Sequence, residues 1–257
     1  MMICSDIMAS RGDIMKFKKQ NQHGAWAMVF MPLVLGIAAG GFHPSQLLYM
    51  AGWLLMFFAA DHVLMFIKRM KRSKEFGYLK SASLFGGIAI LLFLYPLVVE
   101  YRIIFFFLAM MPLGMITAYY AKIRDERNII NDIAAIMIFS IAGGGMAFLN
   151  SHEWTHGVTT VVAVSFLYFV GSALVVKTVV RERNNIRYRN ASYIYHALLF
   201  IGMMGWHYIL GIAFVFGIVR AVGVYGRGWT PKKLGILEII HVLWISAWVI
   251  VYLTIVL

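Results

Sequence analysis

Six ionisable side chains stand inside long apolar runs of this sequence: Asp61 and His62, then Asp132, His196, Glu238 and His241. Within a bilayer each costs on the order of 2.5 to 3.5 kcal/mol on insertion scales, so each marks a functional hypothesis beside the plainer one of a helix-packing salt bridge. All lie towards the same end of their runs, which predicts a shared polar cavity. Asp61 stands about 9 Å, six helical residues, below the polar segment that follows it, and with His62 it forms the expected acid-base pair. Lys177 and Arg181 are one helical turn apart, a spacing suited to clamping phosphate or carboxylate together with Arg72 or Arg124, and His196 is the uncharged candidate for the same ligand site. Their plainer role is to face anionic lipid. The segment His152-Glu153-Trp154-Thr155-His156 has the HExxH spacing of zinc hydrolases, which requires both histidines on one helical face. It falls in a short link, and the outlying candidates for a third ligand are His207, Glu100 and His43 in separate loops. The expectation is therefore no metal and no cofactor, with the motif forming the polar opening turn of a helix capped by Ser151.

The elements that must position these residues are membrane helices. The chain has 257 residues, 61% hydrophobic and 13% charged, with a mean hydropathy of +0.79. That composition leaves no room for a soluble catalytic domain once spans of ~20 residues are assigned. A single cysteine, Cys4, excludes a disulfide framework and cysteine-based zinc sites. Apolar runs cover 24 to 41, 45 to 67, 81 to 99, 103 to 121, 129 to 149, 157 to 176 and 236 to 257. The block 191 to 225 is too long for one span and is divided at Gly205-Trp206-His207-Tyr208, giving nine helices. Alternating the loops puts every lysine and arginine except Arg102 on one side, so the net charge of +12 marks a cytoplasmic face rather than a nucleic-acid surface. The expected fold is an all-α polytopic bundle, N-terminus in and C-terminus out. Residues 1–23 form a disordered cytoplasmic tail, with Met15 as an alternative start, and 24–257 form one transmembrane domain. A signal peptide ending near Gly40 is the competing reading of the first run. Gly36 and Gly40 have small-xxx-small spacing, and with Gly143-Gly144-Gly145 they predict close helix packing.

The opening Lys19-Gln20-Asn21-Gln22-His23-Gly24-Ala25-Trp26-Ala27-Met28, with Pro32 and Gly36, resembles the start of the YwiC-like family of bacterial membrane proteins. Tyr119-Tyr120-Ala121-Lys122-Ile123-Arg124 and the stretch from Gly171-Ser172 through Lys177 to Arg181-Glu182-Arg183 resemble two later blocks of that family. The resemblance implies a multi-pass protein of the plasma membrane and brings no reaction with it. A more remote resemblance is to UbiA-type intramembrane prenyltransferases, through nine helices and the segment Tyr120 to Arg124. Those enzymes carry aspartate-rich magnesium motifs after helices 2 and 6. Here Asp61 is the sole aspartate at those places, and Lys177 and Arg181 stand at the second. The resulting expectation is a cytoplasmic cavity binding an isoprenoid, quinone-like or other anionic lipid through cations. Membrane lipids are the expected partners, with no nucleic acid and no known protein partner. The alternatives are a transporter, an assembly partner without chemistry, and a zinc hydrolase using the HExxH segment.

The near-complete segregation of basic residues makes topology testable. A reporter fused after Leu257 is expected to report the external side, and a cytoplasmic signal there would overturn the nine-span arrangement.

Overall fold

The computed structural model describes residues 23–69, 76–183 and 185–257; the expected tail through residue 22, and Arg72, lie outside the described residues. Regular structure among the described residues is helical throughout. The helices are α1 His23–Gly40, α2 Ser45–Arg69, α3 Phe76–Val99, α4 Ile104–Ile123, α5 Ile129–Ser151, α6 His156–Val180, α7 Ile186–Trp206, α8 Tyr208–Val224 and α9 Pro231–Ile255. A 3-10 turn, Tyr101–Ile103, precedes α4. Helices α2, α3, α5, α6 and α9, and α4 with its 3-10 turn, are long and apolar enough to cross a bilayer, while Trp26–Gly40 and α8 are apolar but shorter. The protein is an all-α, multi-pass membrane protein.

Several helices extend beyond the apolar runs that reveal them. α3 begins at Phe76 rather than 81, α7 at Ile186 rather than 191, and α9 at Pro231 rather than 236. Hydropathy ends where side chains turn polar, but the backbone ladder continues until a capping group replaces it. Asn185 accepts from the Arg187 amide to start α7, and Thr230 accepts from Lys233, with Pro231 in the first turn of α9. The long apolar block is interrupted by one residue: His207 is extended, and its Nδ1 accepts from the Ile209 amide to start α8. The chain reverses there, so α7 and α8 pack side by side.

α5 is the central helix. Residues 142 to 149 are buried without interruption, so this stretch is enclosed on every side. α1 lies against it at backbone distance. A Cβ on Gly36 would stand 2.5 Å from the Gly143 carbonyl oxygen, and one on Gly143 would stand 2.6 Å from Pro32 Cβ. A Cβ on Gly40 would collide with the Ala147 carbonyl oxygen. Three side chains brace the same helix: Gln46 donates to Met146 O at 3.0 Å, Tyr49 to Ala142 O at 3.2 Å, and Asn150 to Gly40 O at 2.6 Å. Besides a smaller body of Val175, Val179, Ala221, Val224 and Leu234, the apolar core around this axis falls into two large bodies. One joins α2, α3 and α4 to α5 through Tyr49, Trp53, Phe93 and Phe106, and the other joins α6 to α9 through Tyr168, Phe169, Phe214 and Ile245. α1 contributes Val29 and Leu33 to the first and Met31 and Leu35 to the second.

Gly143→Val is expected to force α1 and α5 apart and to destabilise the protein by about 1 to 3 kcal/mol, the usual range for overpacking. Gly87→Ala, where an added Cβ meets nothing within 4 Å, serves as the control. Thermal unfolding in detergent should show a clear loss for the first variant and little change for the second.

Candidate functional site

The deepest polar cluster lies between α6, α7, α8 and α9. Arg220, four residues before the end of α8, has a fully buried side chain. Its Nη1 donates to Glu238 Oε1 of α9 at 2.5 Å, and Ser172 Oγ of α6 donates to the other carboxylate oxygen. Both carboxylate oxygens are therefore engaged. Arg220 is not: its Nε and Nη2 are buried and have no hydrogen-bond partner among the described residues. These two nitrogens form the edge of a guanidinium that grips carboxylate or phosphate through paired hydrogen bonds.

Two histidines flank this pair. His241 lies one turn beyond Glu238 on α9, is 1% exposed, and has no partner among the described residues for either ring nitrogen. Its ring meets Tyr168 edge to face at 4.9 Å and Phe216 at 5.0 Å. The Tyr168 hydroxyl is likewise buried and unpartnered among the described residues. His196 of α7 donates from Nδ1 to Ser192 O at 2.7 Å, because a carbonyl can only accept. Two glycines make room for its ring. A Cβ on Gly171 would stand 3.1 Å from Nε2, and one on Gly217 would stand 3.1 Å from Cδ2 and 3.8 Å from Cε1 of His241.

The residues expected to form one site are distributed over the molecule. Asp61 and His62 stand on α2, where His62 Nδ1 donates to Phe58 O at 2.7 Å and its ring packs on Tyr78 and Phe85 of α3. His196 stands on α7 against Gly171 and Gly217, so the structure does not bring it to that pair. Lys177 is 5% exposed; its ammonium group bonds Asp132 Oδ2 at 2.8 Å and the Arg127 carbonyl at 2.5 Å, tying α6 to the start of α5. Arg181 is one turn beyond Lys177, its amide donating to Lys177 O, and it lines an open surface depression with Arg183 and Arg187. Arg124 caps α4 in the left-handed region at φ 61° and reaches Lys68 O at 3.5 Å, on the α2 side. There Lys68 also pairs with Glu126 at 2.7 Å.

The HExxH segment is not the opening turn of α6. His152 terminates α5 in a left-handed conformation, φ 54°, and Thr155 rather than Ser151 caps α6 by accepting from the Val158 amide. Only His156 is helical, so the two histidines do not share a helical face. His152 is held instead by Glu100, at 2.9 Å from Nδ1 to Oε2. Arg102 grips both oxygens of Glu100 at 2.7 Å and donates to the His152 carbonyl at 2.5 Å. The hydrogen bonds from Arg102, with a further one from His152, hold the Glu100 carboxyl down at about 2 against the opposing effect of its burial. The cluster fastens the α3–α4 link to the α5–α6 link.

Sequence reading passed over Arg220, Ser172 and Tyr168. Arg220 falls within the run 191 to 225 but is tallied there with the basic residues of the charged face, whereas α8 carries it inside the bundle with its side chain buried. The available signal was an isolated arginine flanked by Ile218-Val219 and Ala221-Val222, with Glu238 as a possible counter-charge in the next apolar run.

These features define a multi-pass helical membrane protein with a buried, incompletely satisfied polar cluster. The chain belongs to the YwiC-like family. Residues 20–147 match the family model described as YwiC-like protein. The chain is 31% identical over 249 residues to the uncharacterized protein YwiC of Bacillus subtilis, covering 93% of this chain and 100% of that protein. It is 30% identical over 227 residues to an uncharacterized protein of Haemophilus influenzae, covering 87% and 93% respectively. No solved structure matches it.

Removing one member of a buried ion pair leaves the other uncompensated, whereas replacing both can be neutral. Glu238→Ala is expected to destabilise by about 3 to 5 kcal/mol, and Arg220→Met combined with Glu238→Leu to recover most of that loss. Unfolding temperatures of the single and double variants in detergent check this.

Proposed function

We propose that this is a bacterial plasma-membrane protein, with its basic helix ends and N-terminus on the cytoplasmic side, that binds the acidic head group of an amphipathic lipid, isoprenoids included. The observation that carries the reading is the open Nε–Nη2 edge of Arg220. A buried guanidinium with one side engaged and its bidentate side free is a receptor for carboxylate or phosphate in a medium where no water competes. Between Arg220 and the basic end lies an apolar layer of Val175, Val179, Val224, Leu234 and Trp229, which favours an amphiphile over a free ion. Arg181, Arg183 and Arg187 at the α6–α7 turn would attract the anion to that end. Lys177 takes a supporting part in this reading, because its charge is spent on Asp132. Head-group capture by cations also accords with the scarcity of aspartates at the helix ends where magnesium-dependent prenyltransferases need them.

Native mass spectrometry of gently extracted protein is expected to reveal a co-purified acidic lipid. Arg220→Lys retains the charge and loses the fork, so dodecanoate and dodecyl phosphate, measured separately in neutral detergent, should bind at least about tenfold more weakly to it. Chelating divalent ions should leave binding unchanged. Equal binding by wild type and Arg220→Lys, or its abolition by chelator, would overturn the reading, and the two probes distinguish a carboxylate from a phosphate preference.

A further inference from the structure

Resting on the head-group reading above, we propose that the buried site takes its anion together with a proton, which His241 receives. The reason is charge balance. Arg220 and Glu238 already neutralise each other at 2.5 Å. An anion added at the free edge of Arg220 would leave one net negative charge inside the bundle, where an uncompensated charge is strongly disfavoured. A proton arriving with the anion restores neutrality.

The groups able to hold that proton can be enumerated from the helices around the site. α6 presents Tyr168, which can donate its hydroxyl proton but does not readily gain another, and Ser172, which is spent on Glu238. α7 presents His196, whose Nδ1–H already donates to Ser192 O and whose remaining basic nitrogen, Nε2, faces Gly171 of α6, 3.1 Å from where a Cβ would stand. α8 presents Arg220, which stays a cation. α9 supplies Glu238, with one oxygen held by Arg220 and the other by Ser172, and His241 one turn further on. α1 also packs on α9 and carries no titratable side chain from Trp26 to Gly40. His241 differs from the others in having both ring nitrogens buried and without a partner among the described residues. Protonation there breaks no hydrogen bond seen in the structure and gives the ring two donors within a cluster that now contains an added anion. His241 stands one turn from Glu238, the partner of Arg220, and its ring and that of His196 both border Gly217, so the bound anion and the new cation would stand in one connected site.

Proton uptake separates this inference from the reading beneath it. Dodecanoate, a monoanion at neutral pH, is titrated calorimetrically into the full-length protein in neutral detergent at about pH 7.5, in phosphate and in Tris, which differ in ionisation enthalpy. The buffer dependence of the heat is expected to correspond to about one proton taken up per dodecanoate bound. Because the complex holds the proton and the free site does not, affinity should fall about tenfold per pH unit as pH rises above neutrality. His241→Gln should abolish the uptake and flatten the pH profile. Saturable binding without uptake by wild type would overturn the coupled proton and leave the head-group reading standing. Uptake that persists in a folded His241→Gln would overturn the assignment to His241. Absence of saturable dodecanoate binding by wild type would overturn the proton-coupled inference, and absence of dodecyl phosphate binding as well would overturn the head-group reading. Should His241→Gln fail to fold, the wild-type buffer and pH dependences still decide whether a proton is coupled, and His241→Asn decides where it goes.

Discussion

The backbone-to-backbone approach of α1 and α5 is the contact on which the rest of this structure depends. Neither body of the apolar core contains enough of α1 to hold it alone: Val29 and Leu33 face one, Met31 and Leu35 the other. In lipid there is little hydrophobic gain from hiding apolar side chains among other apolar side chains, so association relies on close packing. Gly36, Gly40 and Gly143 allow that packing by presenting backbone rather than side chains at the seam. With α1 seated there, α5 becomes an enclosed axis and the bodies on its two sides form one molecule. Gln46, Tyr49 and Asn150 then spend their polar groups on carbonyls of these two helices, where no water is available to satisfy them.

Polar groups are used differently at the three levels of the bundle. At the basic end they connect elements: Lys177 links α6 to α5 through Asp132, and Lys68 links α2 to the α4–α5 loop through Glu126. At the opposite end Glu100, Arg102 and His152 fasten two links with a carboxylate whose lone pairs are fully engaged. Between these levels the cluster around Arg220 departs from the pattern, since several of its buried donors lack partners among the described residues. Buried atoms without a partner among the described residues also occur elsewhere, at Trp53 Nε1, Ser165 Oγ and Ser192 Oγ, but those are neutral single groups, whereas the unpartnered edge of Arg220 belongs to a cation and carries the heavier penalty. Glu238, itself held by Ser172, engages Arg220 on one side only and leaves its Nε–Nη2 edge unpartnered among the described residues.

The HExxH segment illustrates how local spacing and backbone conformation can part company. Its chemistry presupposes a helix, but Asn150-Ser151-His152 ends one helix and Thr155 begins another, so the histidines keep their i, i+4 spacing without sharing a common face. The composition of the link contains the stop and start signals, a left-handed cap and a threonine N-cap, yet which of Ser151 and Thr155 does the capping depends on where α5 runs out. That point is decided by Glu100 and Arg102, residues remote in sequence that hold His152 in place.

By itself the sequence determined the helical class, the membrane setting, the order of the helices among the described residues, and the division of the long apolar block at His207. These follow from hydropathy, length and turn chemistry, which act over a few to some twenty neighbouring residues. It also identified Glu238, His241 and His196 as polar groups needing an explanation, because their insertion penalty is a property of each residue and its immediate neighbours. Only the tertiary structure decided that Arg220 is buried against Glu238, that Lys177 is paired with Asp132, and that Asp61 and His62, packed on α3, stand apart from His196. Those outcomes depend on which helix faces meet across the bundle, and a helical sequence records which positions lie on a face but not which distant face will pack against it.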